Sequence, residues 1–219
     1  MTTNKPTIGI LASTDEHARE CAASVERLGG QPLRIDATGD ALPDISLRLI
    51  DALVCCDDAG GSDSAIAMLR STLDDDLPVY AVGDGLHLLN IAFGGKPAQA
   101  IQEHNEVAED GGTASAYHHI YIAPGSRLAA VVGSGGFVRV NSRHQKGLRE
   151  AQKSPLLLAS AYSLEDGIIE ALESSRHRWV IGVQFRPERR MEVPPHFDRL
   201  FQSLLERALE RMNSAEIPH

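Results

Sequence analysis

Residues 79–90 read Val79-Tyr80-Ala81-Val82-Gly83-Asp84-Gly85-Leu86-His87-Leu88-Leu89-Asn90, and the fold is inferred outward from this stretch. The apolar run before Gly83 is typical of a short buried strand, and the mostly apolar residues after Gly85 are typical of a helix. The glycines between them predict an abrupt turn. A residue at the tip of such a turn stands above the sheet beside helix N–H groups, where enzymes commonly place a nucleophile. Here the residue at the tip is glycine.

Strand and helix patterns alternate through the first half of the chain. Compact apolar runs, typical of buried parallel strands, occupy residues 7–11, 32–35, 52–56 and 78–82. Helical spacing of apolar residues follows three of these runs, at residues 16–28, 64–73 and 86–93. This alternation predicts a mostly parallel central sheet with helices on both faces.

The second half of the chain has a different pattern, with short alternating strands separated by glycine-rich turns. These predicted strands lie at residues 120–122, 129–132, 137–140, 156–161, 168–172 and 179–184. Residues 195–212 carry the apolar stripe of an amphipathic helix, which packs either on the body of the protein or on a partner. We therefore predict a small antiparallel extension, a closing helix and a single domain that spans residues 1–219.

The composition excludes several classes of protein. The net charge of −9 argues against nucleic acid or an anionic membrane surface as a partner, because both attract basic surfaces. No apolar run reaches the ~20 residues of a membrane span, and residues 1–6 lack the apolar block of a secretory signal. The three cysteines, two of them adjacent, do not form a disulfide framework. These features predict a cytoplasmic protein.

Six short stretches, in order and at similar spacing over nearly the whole chain, carry a resemblance to a known family. They are residues 6–10 (PTIGI), 89–95 (LNIAFGG), 119–126 (HIYIAPGS), 140–144 (VNSRH), 165–171 (EDGIIEA) and 182–188 (GVQFRPE). Together they resemble the class I glutamine amidotransferases, and within them the γ-glutamyl hydrolase branch. The resemblance implies a flavodoxin-like α/β fold, and the segment between the third and fourth strands is shorter here than is usual in the family.

The family hydrolyses a glutamyl amide with a Cys–His–Glu triad, in which an imidazole activates the thiolate and a carboxylate orients the imidazole. By resemblance, the nucleophile position is Gly83, the base position is Arg186 and the acid is Glu188. The acid is therefore retained and both reacting partners are lost, since glycine has no side chain and arginine, with a pKa above ~12, is no general base. The segment after the third strand, which supplies oxyanion N–H donors in the family, also differs from the family pattern. Here Cys56-Asp57-Asp58 stands where the family has Pro-Gly-Gly.

The resemblance also implies which residues surround the former catalytic pocket. In addition to Glu188 they are Gly83, Asp84, Gly85, Asp57, Arg186, Asn141, Ser142, His144 and Gln184. Arg186 either pairs with Asp84 and plugs the pocket, or holds the carboxylate of a ligand with help from helix N–H groups. The alternative is that Arg186, Arg189 and Arg190 form a solvated turn, paired with Glu188 or Glu192.

Replacement of the lost groups by other residues is a further alternative. Cys56, Asp84 or His87 would then perform the reaction, since the C-terminal ends of neighbouring parallel strands lie close together. Adjacent cysteines at the end of a buried strand are more often a small core residue and a strand cap. We prefer that interpretation for Cys55 and Cys56.

Metal and nucleotide sites are not favoured by the sequence. His118, His119 and His144 together with Asp57 or Asp58 would supply metal ligands. However, His119 and His144 fall where the family also has histidine outside the triad, so structural roles are preferred. Residues 83–85 lack the third glycine of a dinucleotide fingerprint. Neither a metal nor a cofactor is therefore expected.

Three hypotheses of function follow. The first is a catalytically inactive member of the family that acts as a binding or regulatory subunit, with a protein partner or a second copy of itself. The second is a hydrolase of γ-glutamyl amides with a rewired site. The third is a sensor that binds a small glutamyl or polyamine-like ligand in the former active site, where the acidic surface favours cations.

Overall fold

The structure, a computed structural model, describes residues 5–37, 45–56, 62–101 and 115–215. The strands are β1 (Thr7–Ala12), β2 (Gln31–Asp36), β3 (Ala52–Cys55), β4 (Val79–Val82), β5 (Gln99–Ala100), β6 (Ala116–Ile122), β7 (Gly136–Ser142), β8 (Lys146–Gly147), β9 (Leu158–Ser163), β10 (Ile169–Glu173) and β11 (Val180–Val183). The helices are α1 (Asp15–Arg27), α2 (Ile45–Arg48), α3 (Asp63–Asp74), α4 (Gly85–Ala92), α5 (Arg127–Val132) and α6 (Asp198–Ala215), with a 3-10 turn at Pro195–Phe197 before α6.

Nine strands form one sheet in the order β2-β1-β3-β4-β11-β10-β9-β6-β7. The five strands from β2 to β11 pair in parallel, and β10, β9, β6 and β7 continue the sheet with antiparallel pairing. The predicted parallel core with an antiparallel extension is therefore confirmed. The short strands β5 and β8 form a separate antiparallel pair.

The core lies in two layers, one on each face of the sheet. Alternate residues of β4 point to opposite faces, so Tyr80 and Val82 pack in one cluster while Val79 and Ala81 pack in the other. Residues of α1, α5 and α6 fill the first cluster, and residues of α3 and α4 fill the second. Burial on both faces explains why the parallel strands read as continuous apolar runs.

Helix α6 packs on the body of the protein. Its apolar stripe is buried in the first cluster, at Leu200, Phe201, Leu204, Leu205 and Ala208. Of the two predicted possibilities, packing on the body or on a partner, the stripe packs on the body. None of the helices in the described ranges is long and apolar enough to cross a membrane.

The strand predicted at residues 129–132 is wrong, because these residues lie in α5. Ser126 caps this helix, and its hydroxyl accepts a hydrogen bond from Ala129 N. Gly133 ends it with a φ of +92° in the left-handed region. A short apolar run does not distinguish strand from helix, and here the flanking cap residues decide.

Candidate functional site

The predicted strand–turn–helix junction is present between β4 and α4, and we call it the elbow (residues 83–85). Gly83 has a φ of +59°, in the left-handed region that favours glycine, and its N–H donates to Val183 O at 2.9 Å. Gly85 begins α4 directly against β3, and a Cβ at this position would lie 2.1 Å from Cys55 O. The close approach of helix to strand therefore requires glycine at residue 85.

Two side chains lie against Gly83. A Cβ built on Gly83 would lie 3.2 Å from His17 Cε1 and 3.5 Å from Arg186 Nε. His17 is buried on α1, the helix that follows the first strand. The imidazole thus lies in tight contact with the position that the Cβ of a nucleophilic residue at the elbow would take.

Glu188, the retained acid, pairs with this same imidazole. His17 Nε2 lies 2.9 Å from Glu188 Oε1, and the side chains of both residues are almost entirely buried. The second carboxylate oxygen, Oε2, is buried without a hydrogen-bond partner among the described residues. The carboxylate therefore orients an imidazole, as in a triad, but that imidazole comes from α1 and not from position 186.

Cys21 lies one helical turn beyond His17 on the same face of α1 and is fully buried. Burial, and next a hydrogen bond with the Cys56 thiol, raise the pKa of the Cys21 thiol well above its ordinary value. The group is held as a neutral thiol without access to a substrate, so Cys21 is no activated nucleophile. Cys55 and Cys56 are likewise fully buried.

His17, Cys21 and Glu188 together bring one nitrogen, one sulfur and one oxygen atom within 4.8 Å of one another. Zn²⁺ accepts this set of donors. The 2.9 Å contact between His17 and Glu188 is, however, an ordinary hydrogen bond, and it accounts for the arrangement without an ion.

The backbone of Arg186 is held by Asn141. The Asn141 side chain accepts from Arg186 N at 2.8 Å and donates to Arg186 O at 3.0 Å. The half-buried guanidinium makes no ion pair within 4.0 Å with any residue that the structure describes. Asn141 thus fixes the main chain at the base position, while no carboxylate of the described ranges directly contacts the positive charge beside Gly83.

The hypothesis that Asp84 pairs with Arg186 is wrong. Asp84 Oδ1 instead accepts from Gln184 Nε2 at 3.3 Å and lies 3.6 Å from His87 Nδ1. The buried amide of Gln184, on the neighbouring turn after β11, competes successfully for the carboxylate. Arg186 therefore fills space beside the elbow without closing it through an ion pair.

Of the two carboxylates expected to pair with the basic turn, Glu192 pairs with Arg189 and Glu188 pairs with His17. The Arg189 guanidinium lies 2.7 Å from Glu20, 3.5 Å from Glu16 and 3.4 Å from Glu192. Burial alone would raise the pKa of Glu192, but hydrogen bonds from Ser115 and Asn141 and the charge of Arg189 lower it. Arg190 pairs separately with Asp198 at 3.0 Å.

A second buried cluster of histidine and glutamate is centred on Glu170, whose backbone O accepts from Gln184 N at 2.8 Å. Glu170 Oε1 is 3.1 Å from His118 Nε2 and 3.6 Å from His144 Nε2, and all three side chains are buried. His144 Nδ1 donates to Lys146 O at 2.9 Å. Burial lowers the pKa of His118, but its hydrogen bond with Glu170 and nearby carboxylates raise it overall.

The structure therefore gathers only part of the predicted site around the elbow. Gly83, Arg186 and Glu188 come together with Asn141, and Asp84 with Gln184. Ser142 is fully buried, and His144 belongs to the Glu170 cluster. His119 is exposed on β6, while Asp57 and Asp58 lie outside the described residues. Sequence reasoning missed His17, whose only signal was its position four residues before Cys21 on the buried face of α1.

Comparison with known proteins identifies the family of the chain. A profile of the Peptidase C26 family matches residues 57–188. The chain is 28% identical over 139 residues to the gamma-glutamyl-gamma-aminobutyrate hydrolase PuuD of Escherichia coli (strain K12), covering 60% of this chain and 54% of that protein. The chain spans about half the length of the curated relatives it matches.

Two solved structures show the same fold over nearly the whole chain. A Thermoplasma acidophilum protein assigned to GMP synthase as one of its subunits superimposes with a TM-score of 0.72 at 13% identity, covering 98% of this chain and 99% of that one. PurLQS of Thermotoga maritima gives a TM-score of 0.67 at 15% identity, covering 93% and 99%. The predicted class I glutamine amidotransferase-like fold is thus confirmed. Because the profile match covers more than half of its length, this protein belongs to the Peptidase C26 family.

Proposed function

We propose that this protein is a non-catalytic member of the Peptidase C26 family that acts as a binding or regulatory subunit. One observation carries the proposal: the nucleophile position is Gly83, and the space beside it holds His17 and Arg186. The nucleophile and the base of the family reaction are thus both absent from their positions, and the side chains of His17 and Arg186 lie beside Gly83.

The chemistry of amide hydrolysis supports this interpretation of the site. The reaction needs a thiolate near the elbow and a base that takes and returns a proton. Arg186 cannot act as that base near neutral pH. His17 has an imidazole that Glu188 orients through Nε2 at 2.9 Å, but position 83 is glycine and the nearby Cys21 thiol is buried and held neutral. The imidazole therefore has no thiol at the elbow to activate.

The replacements suggested for a rewired hydrolase gain no support from the geometry. Cys56 is fully buried. The carboxylate of Asp84 accepts from Gln184 and lies beside the buried His87. None of the three combines an exposed nucleophile with a base at hydrogen-bonding distance.

A binding role is supported by Arg186, whose guanidinium has no direct carboxylate partner among the described residues. A free guanidinium near the first turn of α4 suits the carboxylate of a glutamyl ligand. It disfavours a polyamine, whose positive charges Arg186 would repel. A partner protein is also supported, because one structural neighbour is assigned as a synthase subunit.

The experiment is an assay of the purified chain with glutamine and with γ-glutamyl-γ-aminobutyrate, run beside its Glu188→Ala variant. We expect both proteins to release ammonia or γ-aminobutyrate no faster than buffer. Circular dichroism would confirm that the variant is folded. Turnover by the native chain that disappears in the folded Glu188→Ala variant would overturn the proposal.

The binding part is tested separately, by calorimetric titration of the native chain and an Arg186→Gln variant with glutamate. We expect binding that weakens about ten-fold in the variant, the size of a charge-assisted hydrogen bond. Arg19→Gln, which removes an exposed arginine of α1, is the matched control. Equal affinities in all three proteins would contradict a carboxylate site at Arg186.

A further inference from the structure

A cavity of about 410 Å³ lies between α5, α6 and the residue that precedes β11. It is at the opposite end of the parallel strands from the elbow. Trp179 O, on its wall, accepts from Val79 N at 3.0 Å, which places the cavity where β4 and β11 begin. Gly83 lies where β4 ends. The cavity is therefore a separate site from the one at the elbow.

Four arginines surround this cavity, and we call it the arginine groove. They are Arg127, Arg178, Arg199 and Arg207, and the lining contains a single carboxylate, that of Glu206. The whole chain carries a net charge of −9, so this concentration of positive charge runs against the overall balance. Such a concentration attracts anions to one place on an otherwise acidic protein.

Two of these guanidinium groups are fixed by neutral partners. Arg127 Nη1 donates to Ser174 O at 2.9 Å, and Arg199 Nη1 donates to Val132 O at 2.9 Å. Neither group makes an ion pair within 4.0 Å in the described part of the chain. The nearby carboxylate of Glu173 accepts from the main-chain N–H groups of Arg127 and Leu128. Both guanidinium groups are thus held in place with their charge uncompensated by direct pairing.

The other two arginines form only surface ion pairs. Arg178 pairs with Asp76 at 3.1 Å and is 80% exposed, and Arg207 pairs with Glu210 at 2.8 Å. Pairs of this kind contribute little to stability. A multiply charged anion in the groove can therefore draw both side chains to itself at small cost.

The groove also has a rigid wall, and Gly133 lies directly against the Arg199 guanidinium. Trp179 is 4% exposed, and its Nε1 donates to Ser203 Oγ at 3.0 Å. A Cβ at Gly133 would lie 2.3 Å from Arg199 Nη1. The absence of a side chain at Gly133 thus makes room for the Arg199 guanidinium.

We propose that the arginine groove binds a small molecule that carries two or more phosphoryl groups. The volume lies in the range of small-ligand sites, roughly 300–1,000 Å³. The planar fork of arginine matches two oxygens of a phosphate, so several guanidinium groups suit a chain of phosphoryl groups. Ala130 and Val131 provide an apolar patch for the uncharged part of the ligand. This site is independent of whether the elbow is catalytic.

The test is isothermal titration of the full chain with tripolyphosphate at low ionic strength, with ATP and citrate titrated in parallel. We expect tripolyphosphate and ATP to bind and citrate to bind at least ten-fold more weakly. Arg199→Gln and Arg127→Gln should each weaken tripolyphosphate binding about ten-fold, as loss of a charge-assisted contact predicts. Arg19→Gln, an arginine removed outside the groove, should leave the affinity unchanged.

A gain of affinity provides a readout that misfolding cannot produce. Glu206→Gln removes the one carboxylate of the groove and keeps an oxygen that accepts from Gln202. We expect this variant to bind tripolyphosphate about three-fold more tightly, because a like charge is removed. No binding by the native chain, equal loss in Arg19→Gln, or citrate binding as tight as tripolyphosphate would each overturn the proposal.

Discussion

The two ends of the parallel strands hold their charged groups in contrasting ways. At the end of β4 that carries Gly83, Glu188 is paired with His17 and Glu20 is paired with Arg189. At the opposite end, Arg127 and Arg199 are held by backbone carbonyl groups. The comparison teaches that the elbow end pairs most of its charged groups with one another and leaves Arg186 without a carboxylate contact among the described residues, while the other end anchors two arginines on neutral carbonyl groups.

The largest expected effect comes from breaking the internal pairing at the elbow. His17→Ala leaves the Glu188 carboxylate buried without its imidazole, and loss of one partner of a buried pair costs about 3–5 kcal/mol. We expect the free energy of unfolding in urea to fall by about that amount.

His119→Ala removes an exposed histidine and serves as the matched control, with an expected change within about 0.5 kcal/mol. The double variant His17→Ala/Glu188→Gln should recover part of the loss, since the uncompensated charge is then gone. Equal stability of the His17→Ala and His119→Ala variants would show that the buried pair does not hold the elbow region together.

The next effect concerns the packing that places the elbow on the sheet. Gly85→Ala would put a Cβ 2.1 Å from Cys55 O, so that α4 must move away from β3. We expect a loss of about 3 kcal/mol, at the upper end of overpacked substitutions, measured by urea unfolding. A change smaller than about 1 kcal/mol would mean that the contact between α4 and β3 yields easily.

A smaller effect separates backbone conformation from packing at Gly83. Gly83 and Gly94 both have positive φ, but only Gly83 has neighbours that a Cβ would meet. Alanine at either position carries the left-handed cost of roughly 1–2 kcal/mol. We expect Gly83→Ala to cost about 1 kcal/mol more than Gly94→Ala in urea unfolding, because His17 must give way. Identical losses would indicate that the space beside Gly83 is open.

The last effect is the pH dependence of the Glu170 cluster. The pKa of His118 is raised by Glu170 despite burial, so the folded state favours the charged imidazole. That contribution to stability is full below the unfolded pKa of about 6.5 and is lost as pH rises through the folded value. We expect the free energy of unfolding of the native chain to lose this contribution between pH 6 and pH 8. The His118→Gln variant should not show this loss. His119→Gln should behave as the native chain, and an unchanged pH dependence in His118→Gln would contradict the assignment.

Sequence patterns predicted the sheet and most helices because burial on both faces leaves continuous apolar runs. The strand prediction for residues 129–132 failed because the helical conformation of α5 depends on the caps at Ser126 and Gly133. The elbow was predicted because Gly83 and Gly85 act locally, through a left-handed backbone conformation and a close helix–strand approach. The pairing of His17 with Glu188 could not be predicted, since 171 residues separate the two and only the folded arrangement of α1 and the turn after β11 brings them together.

The central claim is that the elbow carries no thiol chemistry. Cysteine-based hydrolysis passes through a covalent acyl-enzyme, in which the thiolate has displaced the amine from the glutamyl carbonyl. The most direct measurement is the intact mass of the native chain after incubation with γ-glutamyl-γ-aminobutyrate and rapid acid quench. We predict an unmodified mass together with no release of γ-aminobutyrate. A glutamyl adduct on Cys21, Cys55 or Cys56 that forms and decays with turnover would contradict the account.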